Sequence, residues 1–207
     1  MPVVALPPLT TEAVLHRLST ADYHKMAEAG LFTPDSPRVE LLNGQLITMS
    51  PVGNRHFYCV NELNWAISER VVQSGRRDLR VSVQNPIRLD DHSEPEPDVV
   101  LMDLVDHVPA PHEVHLVVEV SDSTLRYDQQ IKRRHYAAAG IIEYWLVDLE
   151  GHAIWAYTDP AGDDYRQHQT YGDGEAIPLR ALADAPPLPV TDVLPPPGST
   201  PRSTASE

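Results

Sequence analysis

The sequence predicts an α/β domain of the α+β kind, with a mixed β-sheet core flanked by helices and preceded by an N-terminal helix and a β-hairpin. Three observations predict it. Two short runs, DVVLM at 98–102 and EVHLVVEV at 113–120, are β-branched and nearly continuous in apolar residues, as strands buried on both faces are. Phe57, Val60, Leu63, Ile67 and Val71 recur at spacings of three or four, the period of an amphipathic helix. A second helical segment, within SDSTLRYDQQIKRRHYAAAG, falls between strands, which calls for a mixed sheet with helices packed on it.

In chain order, a helix is expected over 20–29, capped by Thr20 and stopped by Gly30. Residues 38–50 read as a hairpin, because Asn43-Gly44 between two apolar runs suits a type I′ turn, whose central residues both take positive φ. The amphipathic helix spans 54–74 and ends before Gly75. Alternation at Leu79, Val81 and Val83, resumed at Ile87 and Leu89, predicts strand over 79–89. The turn-rich DDHSEPEP leads into the two buried strands. After the second helix, IIEYWLVD and HAIWAYT read as strands joined at Glu150-Gly151. From Asp184 seven prolines fall in 24 residues, so the chain divides into a domain over 1–183 and a loosely held tail over 184–207, disordered at its end.

At 207 residues the chain suffices for one domain with a full core. No apolar run approaches the ~20 residues of a membrane span, and MPVVALPPLTTEA lacks the basic flank of a secretory signal, so no membrane partner and a cytoplasmic location are expected. With Cys59 alone, disulfide scaffolds and zinc–thiolate sites are excluded. The net charge of −14 argues against broad coating of nucleic acid, and less against a local site built of carboxylates. Only Lys25 and Lys132 are lysines, which makes the placement of each informative.

Asp98 opens one apolar strand and Glu119 sits near the end of the other. A buried carboxylate without partners costs several kcal/mol or takes up a proton, so acids at strand ends face a cation or a cleft, or bond to an arginine or a helix N-terminus. Alternation puts Glu119 and Ser121 on one face. The next helix carries Asp128, Lys132 and Tyr136 at i, i+4 and i+8, so Lys132 either reaches back to the carboxylates or forms a surface pair with Asp128. Arg126, Arg133 and Arg134 form a phosphate-facing strip or a solvated helix face. Tyr144, Trp145, Trp155 and Tyr157 read as core.

VELLNG, MSP followed by His56, PEPDVV, VVEVSDST, the D-x-x-x-K-x-x-x-Y helix and GIIEYWLVD, taken in order over about residues 20–180, resemble the Uma-type family within the PD-(D/E)XK nuclease superfamily. The resemblance implies a restriction-endonuclease-like fold, divalent-metal binding and hydrolysis of DNA phosphodiester bonds. It assigns Glu40 as the upstream acid, Asp98 as the aspartate of the PD motif and Glu119 as the acid of the E-x-K-like motif. Ser121 replaces the superfamily lysine, and Lys132 stands where the Uma-type pattern carries one on the next helix. His56 matches a recurrent family position, where it contacts phosphate, carries a proton or caps its helix. On this reading Asp98, Glu119, Glu40 and the Val120 carbonyl hold magnesium or manganese, which favour oxygen ligands. Two other readings stand beside the nuclease: a non-catalytic descendant that binds nucleic acid or protein, and a metal-independent acidic interaction domain. A double-strand break would favour a homodimer.

Overall fold

The computed structural model describes residues 15–196, apart from 34, 50, 51 and 123. The N-terminal stretch read for a secretory signal, the Ser50-Pro51 of MSP, Ser123 and the end of the proline-rich segment lie outside the described residues.

Helix α1 (Thr20–Glu28) is capped by Ser19, one residue before the expected Thr20, because Asp22 three residues on completes a reciprocal capping box with Ser19. Strands β1 (Val39–Leu42) and β2 (Gln45–Thr48) form the expected hairpin, with Asn43 and Gly44 at φ 52° and 73°. Helix α2 (Asn54–Gln73) buries Cys59, Leu63, Ala66 and Ile67; Phe57, placed on the apolar face by spacing alone, lies on the opposite, solvent side.

Six strands form the sheet: β3 (Leu79–Val83), β4 (Val99–Asp103), β5 (Val114–Ser121), β6 (Glu143–Asp148), β7 (Ala153–Ala161) and β8 (Asp164–Tyr171), in that order. Only β5 and β6 are parallel. A parallel pair needs a crossover, and the chain supplies α3 (Leu125–Tyr127), a π-helical turn over Asp128–Lys132, and α4 (Arg133–Ala138). The strand expected over 79–89 stops at Val83, where Gln84 turns to φ 51°, although Ile87 and Leu89 beyond it are buried. Strand β8 escaped the sequence reading because, as an edge strand, it is mostly exposed and has no apolar alternation.

One core layer lies between the sheet and α2, around Leu63, Ile67, Val118 and Trp145; the other, around Tyr136, Tyr144, Val117 and Leu146, lies under the crossover helix. Residues 184–196 depart from the loose tail expected of them: Leu188, Val190, Val193 and Leu194 are buried in the first layer, and β10 (Leu188–Pro189) pairs with β9 (Ala176–Ile177). The physical reason is the buried Arg70 of α2, whose guanidinium donates to the carbonyls of Pro186 (2.9 Å) and Pro187 (3.1 Å). Prolines offer no N–H, but their carbonyls accept, and one arginine holds two of them.

Replacing Leu188 by alanine is accordingly expected to lower stability by about 2–5 kcal/mol in urea unfolding. A loosely held tail would leave the midpoint unchanged.

Candidate active site

The site lies where β4 begins and β5 ends. Val99 pairs with Val118 in antiparallel register, so Asp98 and Glu119 come opposite one another one step beyond, on the sheet face of Val100 and Val117. Both acids are buried.

Asp98 is held on both oxygens. His56 Nε2 donates to Oδ2 at 3.0 Å, the Val120 N–H donates to the same oxygen at 2.9 Å, and Gln84 Nε2 donates to Oδ1 at 3.2 Å. Burial pushes the Asp98 carboxyl upward, but His56 and the two amide donors outweigh it and hold the acid below its ordinary value. His56 lies in the first turn of α2, whose N-cap is Gly53; its ring turns to Asp98 instead of capping the helix, and its buried Nδ1 has no hydrogen-bond partner among the described residues. A strand residue directs its N–H and C=O toward the same neighbouring strand, so the Val120 carbonyl also faces the Asp98 side.

Glu119 belongs to a second group. Its Oε1 accepts from Lys132 Nζ (3.0 Å) and from the Tyr136 hydroxyl (2.5 Å), while Oε2 forms no hydrogen bond among the described residues. Lys132 Nζ also lies 3.3 Å from Glu40 Oε2, which accepts from the Glu96 N–H at 3.2 Å. Lys132 therefore reaches back to two carboxylates, and the Asp128–Lys132 surface pair does not form; Lys132 is only 2% exposed. Burial works against its charge, but Glu119, Glu40 and Asp128 more than compensate and hold the ammonium protonated above its ordinary value. Glu119 is pushed up by burial to about 8, against the pull of Lys132.

Local sequence explains the placement. The hairpin is tied to the 90–97 loop by the Glu94 N–H bond to the Leu41 carbonyl (2.8 Å), which sets Glu40 beside Glu96. The π-helical turn widens the helix at Asp128–Lys132, and such turns recur at functional sites. Asp128 accepts from the Thr124 hydroxyl at 2.6 Å, and Thr124 lies 3.3 Å from Ser121 Oγ, so hydroxyls link the end of β5 to the start of the crossover helix.

The five acids and bases expected from the sequence thus come together as two linked groups, Asp98 with His56 and Glu119 with Lys132 and Glu40. Sequence reading missed Gln84, whose signal is the break in alternation before Asn85-Pro86, and named Tyr136 only as part of the helix stripe. The arginine strip does not form as a phosphate-facing unit. Arg133 pairs with Asp164 and lies over the Tyr157 ring, and Arg134 pairs with Asp163; Arg126 is exposed and has no ion pair among the described residues.

Chemically, the oxygens suit a hard cation. Among the described residues Glu119 Oε2 is unbonded and the buried Glu40 Oε1 has no hydrogen-bond partner, and the Val120 carbonyl faces the Asp98 side. Among the described residues no three of His, Cys, Asp and Glu already converge as a metal cluster. A magnesium-like ion fits such an open arrangement, since it keeps several waters and takes one or two carboxylates.

A mixed sheet with a crossover helix on one face and α2 on the other, carrying two acids at adjacent strand ends, defines a nuclease-like α+β domain. The model of the Uma2 family, described as putative restriction endonuclease, matches residues 20–191, and the chain belongs to that family. Its fold is similar to that of a crystallised protein from Anabaena variabilis, described as a putative nuclease belonging to DUF820, with a TM-score of 0.64 and 16% identity over 85% of this chain and 97% of that one. No curated protein sequence matches the chain. No helix among the described residues is long and apolar enough to cross a membrane.

Lys132→Ala leaves Glu40 and Glu119 buried without their cation. Its expected cost is about 3–5 kcal/mol at neutral pH. Glu119 already binds its proton more tightly folded than unfolded, up to about 8 with Lys132 beside it, and removing the ammonium raises it further; its contribution is present below the ordinary carboxylate value and in the variant goes on being lost as pH rises beyond about 8, where the wild type has finished losing it. Urea unfolding from about pH 5 to 9 should show the deficit growing with pH; a flat, small deficit would mean that Lys132 is not the partner of these acids.

Proposed function

We propose that this protein is a divalent-metal-dependent endonuclease that hydrolyses DNA phosphodiester bonds, with Asp98 and Glu119 as its central acids. The observation that carries the reading is the pairing of these two acids across adjacent strand ends, one held by His56 and the other by a buried lysine. Membership of a family described as putative restriction endonuclease supports the nuclease class.

In this proposal Asp98, Glu119 and the Val120 carbonyl hold magnesium or manganese, and Glu40 Oε1 offers a further oxygen from the hairpin. When bound, such an ion makes a coordinated water more acidic and offsets charge on the phosphate. The residues of the chain do the rest. His56, the Val120 N–H and Gln84 fix Asp98 in one orientation, so its remaining lone pairs are aimed without reorganisation. Tyr136 and Lys132 fix Glu119 through Oε1 and leave Oε2 without a hydrogen bond among the described residues. Lys132 carries the positive charge that stabilises the phosphate in its transition state, a role that fixed charges perform well in a dry site. Arg126, exposed and without an ion pair among the described residues, stands on the first turn after Thr124 and gives a backbone phosphate a partner on an otherwise acidic chain.

A binding protein without catalysis is the second reading. Ser121 in place of lysine and the net charge of −14 favour it.

The test is cleavage of supercoiled plasmid with manganese or magnesium, run beside Asp98→Ala and Glu119→Ala purified in the same way. Nicking or linearisation by wild type is expected, with loss in both variants and retained folding by circular dichroism. Equal activity in a variant would sink the site assignment. No cleavage by any of them, together with a manganese-dependent rise in wild-type melting temperature, would favour the binding reading.

A further inference from the structure

The outer face of α2 is the largest feature that the site leaves unused. Phe57, Trp65 and Val72 are 66%, 71% and 79% exposed; with Tyr58 and Val52 they make up half of the exposed large apolar side chains among the described residues. Phe57, Asn61, Trp65, Ser68 and Val72 follow one another at spacings of three and four, so they form one stripe directly opposite the buried Leu63–Ile67 face. With ~150–250 Å² per aromatic side chain, this patch exposes on the order of 500 Å² of apolar surface, most of the ~800 Å² per partner found in specific interfaces. That is the size of the largest apolar patch on a typical monomer, about 300–600 Å², and such a patch is often functional.

We infer that this stripe is a two-fold interface through which a second copy of the chain packs, α2 against α2 in antiparallel orientation. The stripe is complementary to its own reverse. An axis between Asn64 and Trp65 sets Phe57 opposite Val72 and Asn61 opposite Ser68, so each large side chain meets a smaller or equal one and the two amides meet the two hydroxyls. Charge selects the same occupant. At a net −14 per chain, two copies approach only through a face without acids, and the centre of the stripe has none; Glu62 and Glu69 stand at its borders. The centre also has no lysine or arginine, so it offers a phosphate backbone no counter-charge. The inference stands whether or not the acid site is a nuclease.

Sedimentation velocity of the full chain from about 1 to 100 µM tests it. Wild type is expected to be a dimer in that range, and Trp65→Asp to weaken association at least ~30-fold, the loss typical of an interface anchor. Asn61→Arg, which places like charges close to the axis, serves as a second disrupting variant that removes no apolar surface. Both should keep the wild-type circular dichroism spectrum. A Phe57→Cys/Val72→Cys variant is expected to form an intermolecular disulfide-linked dimer under mild oxidation, while the buried Cys59 stays free. A wild-type monomer at 100 µM, a dimer that neither Trp65→Asp nor Asn61→Arg weakens, or failure of the 57–72 pair to cross-link would each overturn the inference. A monomer whose Trp65 emission shifts on adding a single-stranded oligonucleotide would overturn it in favour of a base-stacking surface.

Discussion

A single buried ammonium ties three parts of the chain together. Lys132 sits on the crossover helix, Glu119 on a central strand and Glu40 on the N-terminal hairpin, and all three are almost fully excluded from water. Neither acid is affordable there without a cation, and the lysine is not affordable without the acids. The hairpin has its own anchors, the Tyr23 hydroxyl on the Val39 carbonyl and the Glu94 bridge to Leu41, and among the described residues the Lys132 group ties its carboxylate to the sheet. The site is therefore a consequence of the same interaction that closes the hairpin over the strand ends.

The two halves of the site differ in kind. Asp98 is held by neutral amide donors and one imidazole, which keep it ionised and leave it acidic. Glu119 is held by a phenol and an ammonium on a single oxygen, and burial leaves it ready to take a proton. Two carboxylates at facing strand positions with affinities pushed in opposite directions can perform different tasks, one as a fixed anion and the other as a group that takes up a proton. Beyond Glu119 the Ser121 hydroxyl joins Thr124 and Asp128, and Lys132 stands one turn further along the helix from Asp128.

Much of this was legible in the sequence, and the reasons are specific. The Asn43-Gly44 turn, the two β-branched strands and the α2 period each rest on local chemistry, so they appear at nearly the expected residues. Asp98 and Glu119 stood out because acids interrupt runs that otherwise read as buried. Lys132 stood out because lysine is rare here, but its choice between Asp128 and the strand acids depends on how the crossover helix lies on the sheet, which no local pattern encodes. Gln84 was invisible for a similar reason: its role comes from a left-handed turn at the end of β3 that brings an amide under Asp98. The proline-rich segment misled because composition reports the missing N–H groups and not the arginine that binds the carbonyls. Strand β8 misled because an edge strand facing water has little apolar pattern to read.

The claim that the buried ammonium couples hairpin, helix and sheet is tested most directly by a double-mutant cycle between Lys132→Met and Glu40→Gln, read by urea unfolding at neutral pH. A coupling of about 1.5 kcal/mol or more is expected, because Lys132→Met leaves the Glu40 and Glu119 carboxylates both buried without their ammonium, whereas in the double change Glu119 alone is left so. Losses that add to within about 0.5 kcal/mol would contradict it, and would mean that the hairpin acid and the helix lysine are neighbours without being partners.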